Sequence, residues 1–218
     1  KGWTSLWPAC QSGDWDMDRG LYTLGMAEFD YIVVGAGSAG CVIASRLVED
    51  PDIRVLLVEA GGSDSSYLYR RPGALAIVYQ VPKLKERADW GYRTTPQPHL
   101  DDRRMPWTRG RLLGGCSTVN GMLYVRGHAK DYDGWRDAGC DGWGWEDVLP
   151  LFKRSEGHED GAGEHHGGDG PLRVTRQQGI SPVSEGFAEA IAGTCGVARI
   201  EDFNTGDSEG AGLYQQTC

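Results

Sequence analysis

The apolar positions of this chain fall into short blocks separated by glycine, proline and charged residues. The first clear block is Tyr31-Ile-Val-Val34. It is apolar and rich in β-branched residues and it runs into Gly35, so the pattern predicts a buried strand over residues 30–35. From Ser38 to Glu49 the apolar residues Val42, Ile43 and Leu47 fall on one face of a 3.6-residue period, which predicts a helix that Pro51 stops. Arg54-Val-Leu-Leu-Val-Glu59 is again continuously apolar at its centre, as strands buried in parallel sheets are. Strand, helix and strand together make one β-α-β unit.

Further along, the pattern loosens. Residues 60–109 are irregular, and DWGYRTTPQPHL (89–100) is rich in turn formers, as expected of a loop over a scaffold. Residues 130–154 read as a helix in two pieces, split by the glycines from Gly139 to Gly144. Residues 156–170, EGHEDGAGEHHGGDG, read as a polar loop. GPLRVT then reads as a strand, Val183–Thr194 as a helix, and the closing GAGLYQQTC alternates weakly, like another strand. Residues 1–25 carry neither a period nor the basic start and apolar middle of a secretory leader. The expectation there is a disordered extension or translated upstream sequence, with Met26 as the natural start. No internal repeat is visible.

Composition narrows the classes. A chain of 218 residues holds one large domain, or one domain and part of another. With 31 Asp and Glu against 22 Lys and Arg the formal charge is −9, and no basic stripe interrupts it, which excludes the electrostatic footprint of a nucleic-acid binder. The 33 glycines do not recur at every third position, so collagen is excluded, and tight turns or backbone packed close to a ligand remain. The six cysteines are scattered without a CxxC pair and read as reduced thiols of an intracellular, cytoplasmic protein. No apolar run has the length of a transmembrane segment; the alternative location is peripheral to a membrane.

Two glycine clusters carry the chemistry. Gly35-Ala-Gly37-Ser38-Ala39-Gly40 is GxGxxG, and it sits where the motif has meaning, after a strand and at the opening of a helix. The first glycine permits the tight turn, the second lets backbone approach a pyrophosphate, and the third lets helix and strand pack closely. The helix N-terminus offers free N–H groups to the phosphates. Glu59, followed by Ala60, ends the second strand 19 residues past Gly40, where a carboxylate accepts hydrogen bonds from an adenosine ribose. These features call for a dinucleotide without choosing between NAD and FAD.

The second cluster, RGRLLGGCSTVNGMLYVRGHAKDYDGW (109–135), makes that choice. It resembles the signature of the glucose-methanol-choline (GMC) family of flavin oxidoreductases. Gly110-Arg111, Leu113-Gly114-Gly115, a small pair, Val119-Asn120, Tyr124, Gly127 and Asp133 stand in the family's order. FDYIVVGAGSAGCVIASRLVED, VLLVEAGG, WGYRTTPQ, GWGWEDVLPLFKRSE and DFNTGDSEGAG look like the same family, so the resemblance runs from residue 28 to 218. Cys116 departs from the usual Ser, Thr or Gly but is small enough for the same turn.

The resemblance implies an α/β fold: an FAD-binding Rossmann-like, doubly wound domain over residues 26–218, incomplete, with 156–218 leading into an α+β substrate domain. It implies FAD contacts at Arg111, Leu112, Gly114, Gly115, Ser117, Asn120, Gly121, Met122 and Leu123, besides the dinucleotide loop. Glycines 114, 115 and 121 would let backbone lie against a flat isoalloxazine, and Asn120 would hydrogen-bond near its edge. Members that hold flavin covalently use a histidine in this loop; Val119 stands before Asn120 here, so a noncovalent flavin is expected. The implied activity is oxidation of an alcohol or choline-like substrate, the branch closest in appearance being the bacterial alcohol and choline dehydrogenases, with an acceptor such as a quinone. The family's base histidine would lie beyond Cys218, so no catalytic residue is assigned.

His99 and His128 are poor substitutes for that base. His158, His165 and His166, with Glu159, Asp160 and Glu164, suggest a metal, but among flexible glycines they read as a solvated loop, and no metal is expected. Trp135, Trp143 and Trp145 read as anchors between two helices. The rival functions are an oxygen-using oxidase or a lyase of the same family, a catalytically dead nucleotide-binding fragment, and an NAD-dependent dehydrogenase, which residues 109–127 disfavour.

Overall fold

A computed structural model of the chain describes residues 15–16, 21–22, 28–65, 68–69 and 75–217. The reading of residues 1–25 falls outside these, apart from β1 (Trp15–Asp16) and β2 (Leu21–Tyr22), which pair antiparallel. The chain divides into two compact units, Lys1–Val119 and Asn120–Cys218.

The first unit contains the predicted β-α-β. β3 (Tyr31–Val34) and β4 (Val55–Val58) pair in parallel, Tyr31 opposite Val55 and Val34 opposite Val58, with α1 (Ser38–Leu47) between them in sequence. The ladder extends at both ends by single bonds, Asp30 N–H to Arg54 O and Gly35 N–H to Val58 O. Gly35 then turns the chain at φ +97°, a conformation that strains any residue with a Cβ. α2 (Leu75–Gln80) and α3 (Pro82–Ala88) follow, α3 opening on proline at its first turn. Val78 and Ala88 from this pair bury against Leu112 and Val119, and Tyr79 and Leu84 pack on the same cluster.

Residues 89–110 are more ordered than their turn-rich sequence predicts. They run out and back as two extended segments bridged at Asp89–Gly110, Arg93–Pro106 and Gln97–Arg103. Asp101 and Asp102 turn the tip in left-handed backbone, a conformation Asp tolerates.

The second unit is built on a four-stranded sheet in the order β5-β10-β7-β6, formed by β5 (Leu123–Tyr124), β6 (Glu156–His158), β7 (Leu172–Thr175) and β10 (Gln215–Thr217). β6 and β7 are parallel and the other neighbours antiparallel. The two predicted helical pieces are α4 (Ala129–Asp137) and α5 (Trp145–Ser155). α4 starts in a reciprocal cap: His128 Nδ1 accepts from Lys130 N–H, and Asp131 accepts from His128 N–H. Tyr132 of α4 packs on Trp145 and Phe152 of α5. Trp145 is buried as an anchor, whereas Trp135 and Trp143 are half-exposed and meet edge to face. α6 (Pro182–Cys195), between the Ser181 cap and left-handed Gly196, precedes the parallel pair β8 (Arg199–Ile200) and β9 (Ala211–Gly212). Among the described residues no helix is long and apolar enough to cross a membrane.

The solvated-loop reading of residues 156–170 is corrected. α5 runs straight into β6, Glu156 is fully buried and His158 is buried with it. The glycines serve packing rather than flexibility. A Cβ on Gly157 would press on Gly170 O, one on Gly167 on the backbone of Lys153 and Glu156, and one on Gly170 on Ser155 and Glu156. The carboxylate is tolerated inside because its partner, Arg126, arrives from 30 residues away in sequence, a pairing that composition does not reveal.

Candidate cofactor site

The GxGxxG turn has the geometry its sequence requires. Gly40 lies under the turn, where a Cβ would overlap the carbonyl of Gly35, so helix and strand meet as the third glycine predicts. Gly37 is the N-cap of α1, with no side-chain cap bond and no acidic residue in the first turn. The first N–H groups of a ten-residue helix therefore have no side-chain acceptor of their own, and Ser38 and Ala39 lie exposed at its opening.

Glu59 is fixed against this turn. Its Oε2 accepts from Ala36 N–H at 2.8 Å and its Oε1 from Gly61 N–H at 2.8 Å. Each oxygen keeps a second lone pair, and an ionised carboxylate accepts about four hydrogen bonds in all, so two vicinal hydroxyls can still be held. Ala60 is exposed beside it.

The second glycine cluster docks on the first, backbone to backbone, although 75 residues separate Gly40 from Gly115. Gly114 N–H donates to Ala36 O at 2.7 Å, Leu113 N–H to Gly62 O at 2.9 Å, and residues 62 and 112 form a parallel bridge. A Cβ on Gly115 would stand 2.9 Å from Gly37 Cα, and one on Gly61 would overlap the Arg111 carbonyl. Gly115, one of the glycines expected to face a flavin, is thus also needed for this backbone-to-backbone approach.

Three side chains expected as flavin contacts have partners within the protein. Leu112 is 2% exposed and belongs to the cluster with Val78, Ala88 and Val119. Ser117 Oγ donates to Gly114 O at 2.6 Å within the 3-10 turn Gly115–Thr118. Arg111 donates to Glu86 O and lies over the Trp90 ring, 5.7 Å from its centroid.

In the second unit, Asn120 Oδ1 accepts from Met122 N–H at 2.9 Å and holds Met122 at φ +59°, which leaves the Asn120 amide nitrogen free of that turn. A Cβ on Gly121 would meet open space. Met122 O accepts from Thr217 N–H, and Leu123, half-exposed, pairs with Gln216 of β10.

A family profile described as GMC oxidoreductase matches residues 29–218. The chain belongs to the GMC oxidoreductases. GMC relatives include a protein named oxygen-dependent choline dehydrogenase from Burkholderia multivorans, 46% identical over 192 residues, covering 87% of this chain and 33% of the relative. Among solved GMC-like structures, pyridoxine 4-oxidase from Mesorbium loti superposes with a TM-score of 0.79 at 39% identity, over 88% of this chain and 37% of that one. An FAD-dependent oxidoreductase from Chaetomium thermophilum gives 0.74 at 28% identity, over 87% and 33%. The chain therefore spans about a third of the length of the GMC relatives it matches.

Glu156, His158 and His166 place one donor atom each within 4.8 Å of one another, close enough to be tested as a metal site. Their protons point to another use. Both His166 nitrogens face carboxylate oxygens, Glu156 at 2.9 Å and Asp202 at 2.6 Å, so both are protonated donors. His158 Nδ1 accepts from Asp160 N–H, which puts the ring proton on the buried Nε2. No imidazole lone pair is left for an ion in this arrangement.

Proposed function

We propose that this chain binds FAD noncovalently and forms the cofactor-holding part of an oxidoreductase acting on the CH–OH group of a choline-like or other small alcohol. The observation that carries this reading is the docking of the two glycine clusters. One unit brings together the uncapped N-terminus of α1, the anchored carboxylate of Glu59 and the Gly110–Gly115 segment. These groups of the first unit fit the cofactor: helix N–H groups for its pyrophosphate, Glu59 for its ribose hydroxyls, and the glycine-rich segment for close backbone approach. Bound FAD would supply the two-electron acceptor for the hydride leaving the alcohol carbon. No residue of this chain is given the role of the base that takes the hydroxyl proton.

Val119 supports the noncovalent part. It occupies the position before Asn120, offers no nucleophile, and its side chain is 8% exposed within the apolar cluster. FAD added to the purified chain should co-elute and leave completely on acid precipitation; retention of yellow colour in the pellet would contradict noncovalent binding. NAD should not be retained. Failure to hold any flavin would remove the proposal.

For the acceptor, a quinone is the reading from the resemblance. The name oxygen-dependent choline dehydrogenase and the likeness to an oxidase favour oxygen as the second reading. Peroxide formation during choline turnover separates the two.

A further inference from the structure

The second unit encloses a closed ring of polar side chains. Arg126 Nη2 donates to Glu156 Oε2 at 2.8 Å, and Glu156 Oε1 accepts from His166 Nδ1. His166 Nε2 donates to Asp202 Oδ2, and Asp202 Oδ1 accepts from Gln215 Nε2 at 3.3 Å. Gln215 Oε1 accepts from Asn204 Nδ2 at 2.8 Å, and Asn204 Oδ1 closes the ring by accepting from Arg126 N–H at 2.7 Å. Arg126, Glu156, Asn204 and Gln215 are all buried.

We propose that His166 is a positioning residue for the Asn120–Leu123 segment, its imidazolium closing this ring and thereby fixing the strand on which that segment is laid. The relevance to flavin rests on the function proposed above. The path is short. Gln215, a member of the ring, pairs with Tyr124; Gln216 pairs with Leu123; and Thr217 N–H donates to Met122 O. Asn204 also donates to Tyr124 O, and Arg126 to the Tyr124 hydroxyl.

The ring requires a protonated His166, because a neutral imidazole donates once and would turn a lone pair toward the second carboxylate. The groups that face it act together. Glu156 and His158 come from β6 and Asp160 follows it; Arg126 follows β5, Arg176 follows β7, and Asp202 follows β8. The hydrogen bonds that His166 donates to Asp202 and then to Glu156 push its pKa up to about 9, so the ring is closed at neutral pH.

The test follows FAD affinity of the 218-residue chain by flavin fluorescence from about pH 6 to about pH 10, beside the hydrogen-exchange protection factor of the Thr217 amide. Protection factors remove the ordinary base catalysis of exchange. The expected result is affinity and Thr217 protection that both fall roughly tenfold as pH rises through about 9, with His166→Gln roughly tenfold weaker at neutral pH and flat above it. If His166→Gln binds FAD as the wild type does, with the same pH profile, the inference is overturned. If that variant does not fold, the wild type decides: Thr217 protection constant across the range overturns it. If the wild type takes up no FAD, the flavin reading falls. The protection step then still upholds the hold of His166 on the segment, and its absence overturns that as well.

Discussion

At the scale of single residues, the structure separates glycines that a motif makes look alike. Gly61 and Gly62 are adjacent in EAGG, yet a Cβ on Gly61 would overlap the Arg111 carbonyl while one on Gly62 would meet nothing within 4 Å. Gly61→Ala should therefore lose about 1–3 kcal/mol or more in urea unfolding, through overpacking against backbone that cannot rotate away. Gly62→Ala should stay within about 0.5 kcal/mol. Equal losses would show that the backbone contact does not matter. The sequence could not rank these two, because the clash comes from a segment 50 residues later. The burial of Leu112 was not legible for a related reason: a motif fixes where a residue lies along the chain, not what packs against it. The place of Glu59 at the end of β4 was legible because it depends on local strand order alone, and its bonds to Ala36 and Gly61 N–H fix it there.

The same scale carries a pH dependence. His166 is raised from 6.5 to about 9, so its contribution is fully present below about 6.5 and is lost as pH rises through about 9. Burial pushes the Glu156 carboxyl up, but the His166 bond, the Gly167 N–H and Arg126 outweigh it, and the net shift is downward from 4.5. Burial likewise raises Asp202, and the His166 bond with the Asn204 N–H brings it below 3.8. Those two contributions are present above the unfolded values and are lost as acid is added. Urea unfolding followed by tryptophan fluorescence should show a plateau between about pH 4.5 and about pH 6.5, declining on both sides. Stability that rises from neutrality to pH 9 would contradict the assignment.

At the scale of elements, what was legible was what local chemistry sets. β3, α1, β4, α4, α5 and α6 lie within a few residues of their predicted bounds, because period, caps and glycine stops are local signals. β6 and the bridged segments 89–110 were not legible, since their partners are distant and their sequences are polar or turn-rich. The elements also leave apolar faces uncovered. Ile32 and Val34 of β3 are 64% and 83% exposed, and Val42 and Ile43 of α1 are more than half exposed. A two-stranded parallel sheet is normally one part of a larger one with both faces covered. The 218-residue chain should accordingly bind a hydrophobic dye strongly, and Ile32→Thr with Val34→Thr should cut that fluorescence by roughly half. Dye binding unchanged by the pair would place the apolar surface elsewhere.

For the molecule as a whole, the border between the two units falls inside the family signature, between Val119 and Asn120. The signature is thus one stretch of sequence that serves two units. Its first half is packed on the dinucleotide loop, and its second half is laid on the β5–β10 ladder. A ligand that engages the first unit through helix N–H groups and Glu59 stabilises the native state by mass action, by about 2.7 kcal/mol at a free concentration one hundred times its Kd. For a chain of this size each kilocalorie per mole moves Tm by about 2–4 °C, so saturating FAD should raise Tm by about 5–10 °C. Glu59→Ala loses the carboxylate that accepts from Ala36 and Gly61 as well as the proposed ribose acceptor, so it should lower Tm without ligand and shrink the FAD-induced shift at the same concentration. The difference between the two shifts isolates binding from folding, because each variant is compared with itself. An undiminished shift in Glu59→Ala would mean that flavin, if it binds, does not reach the ribose position that the β-α-β unit defines.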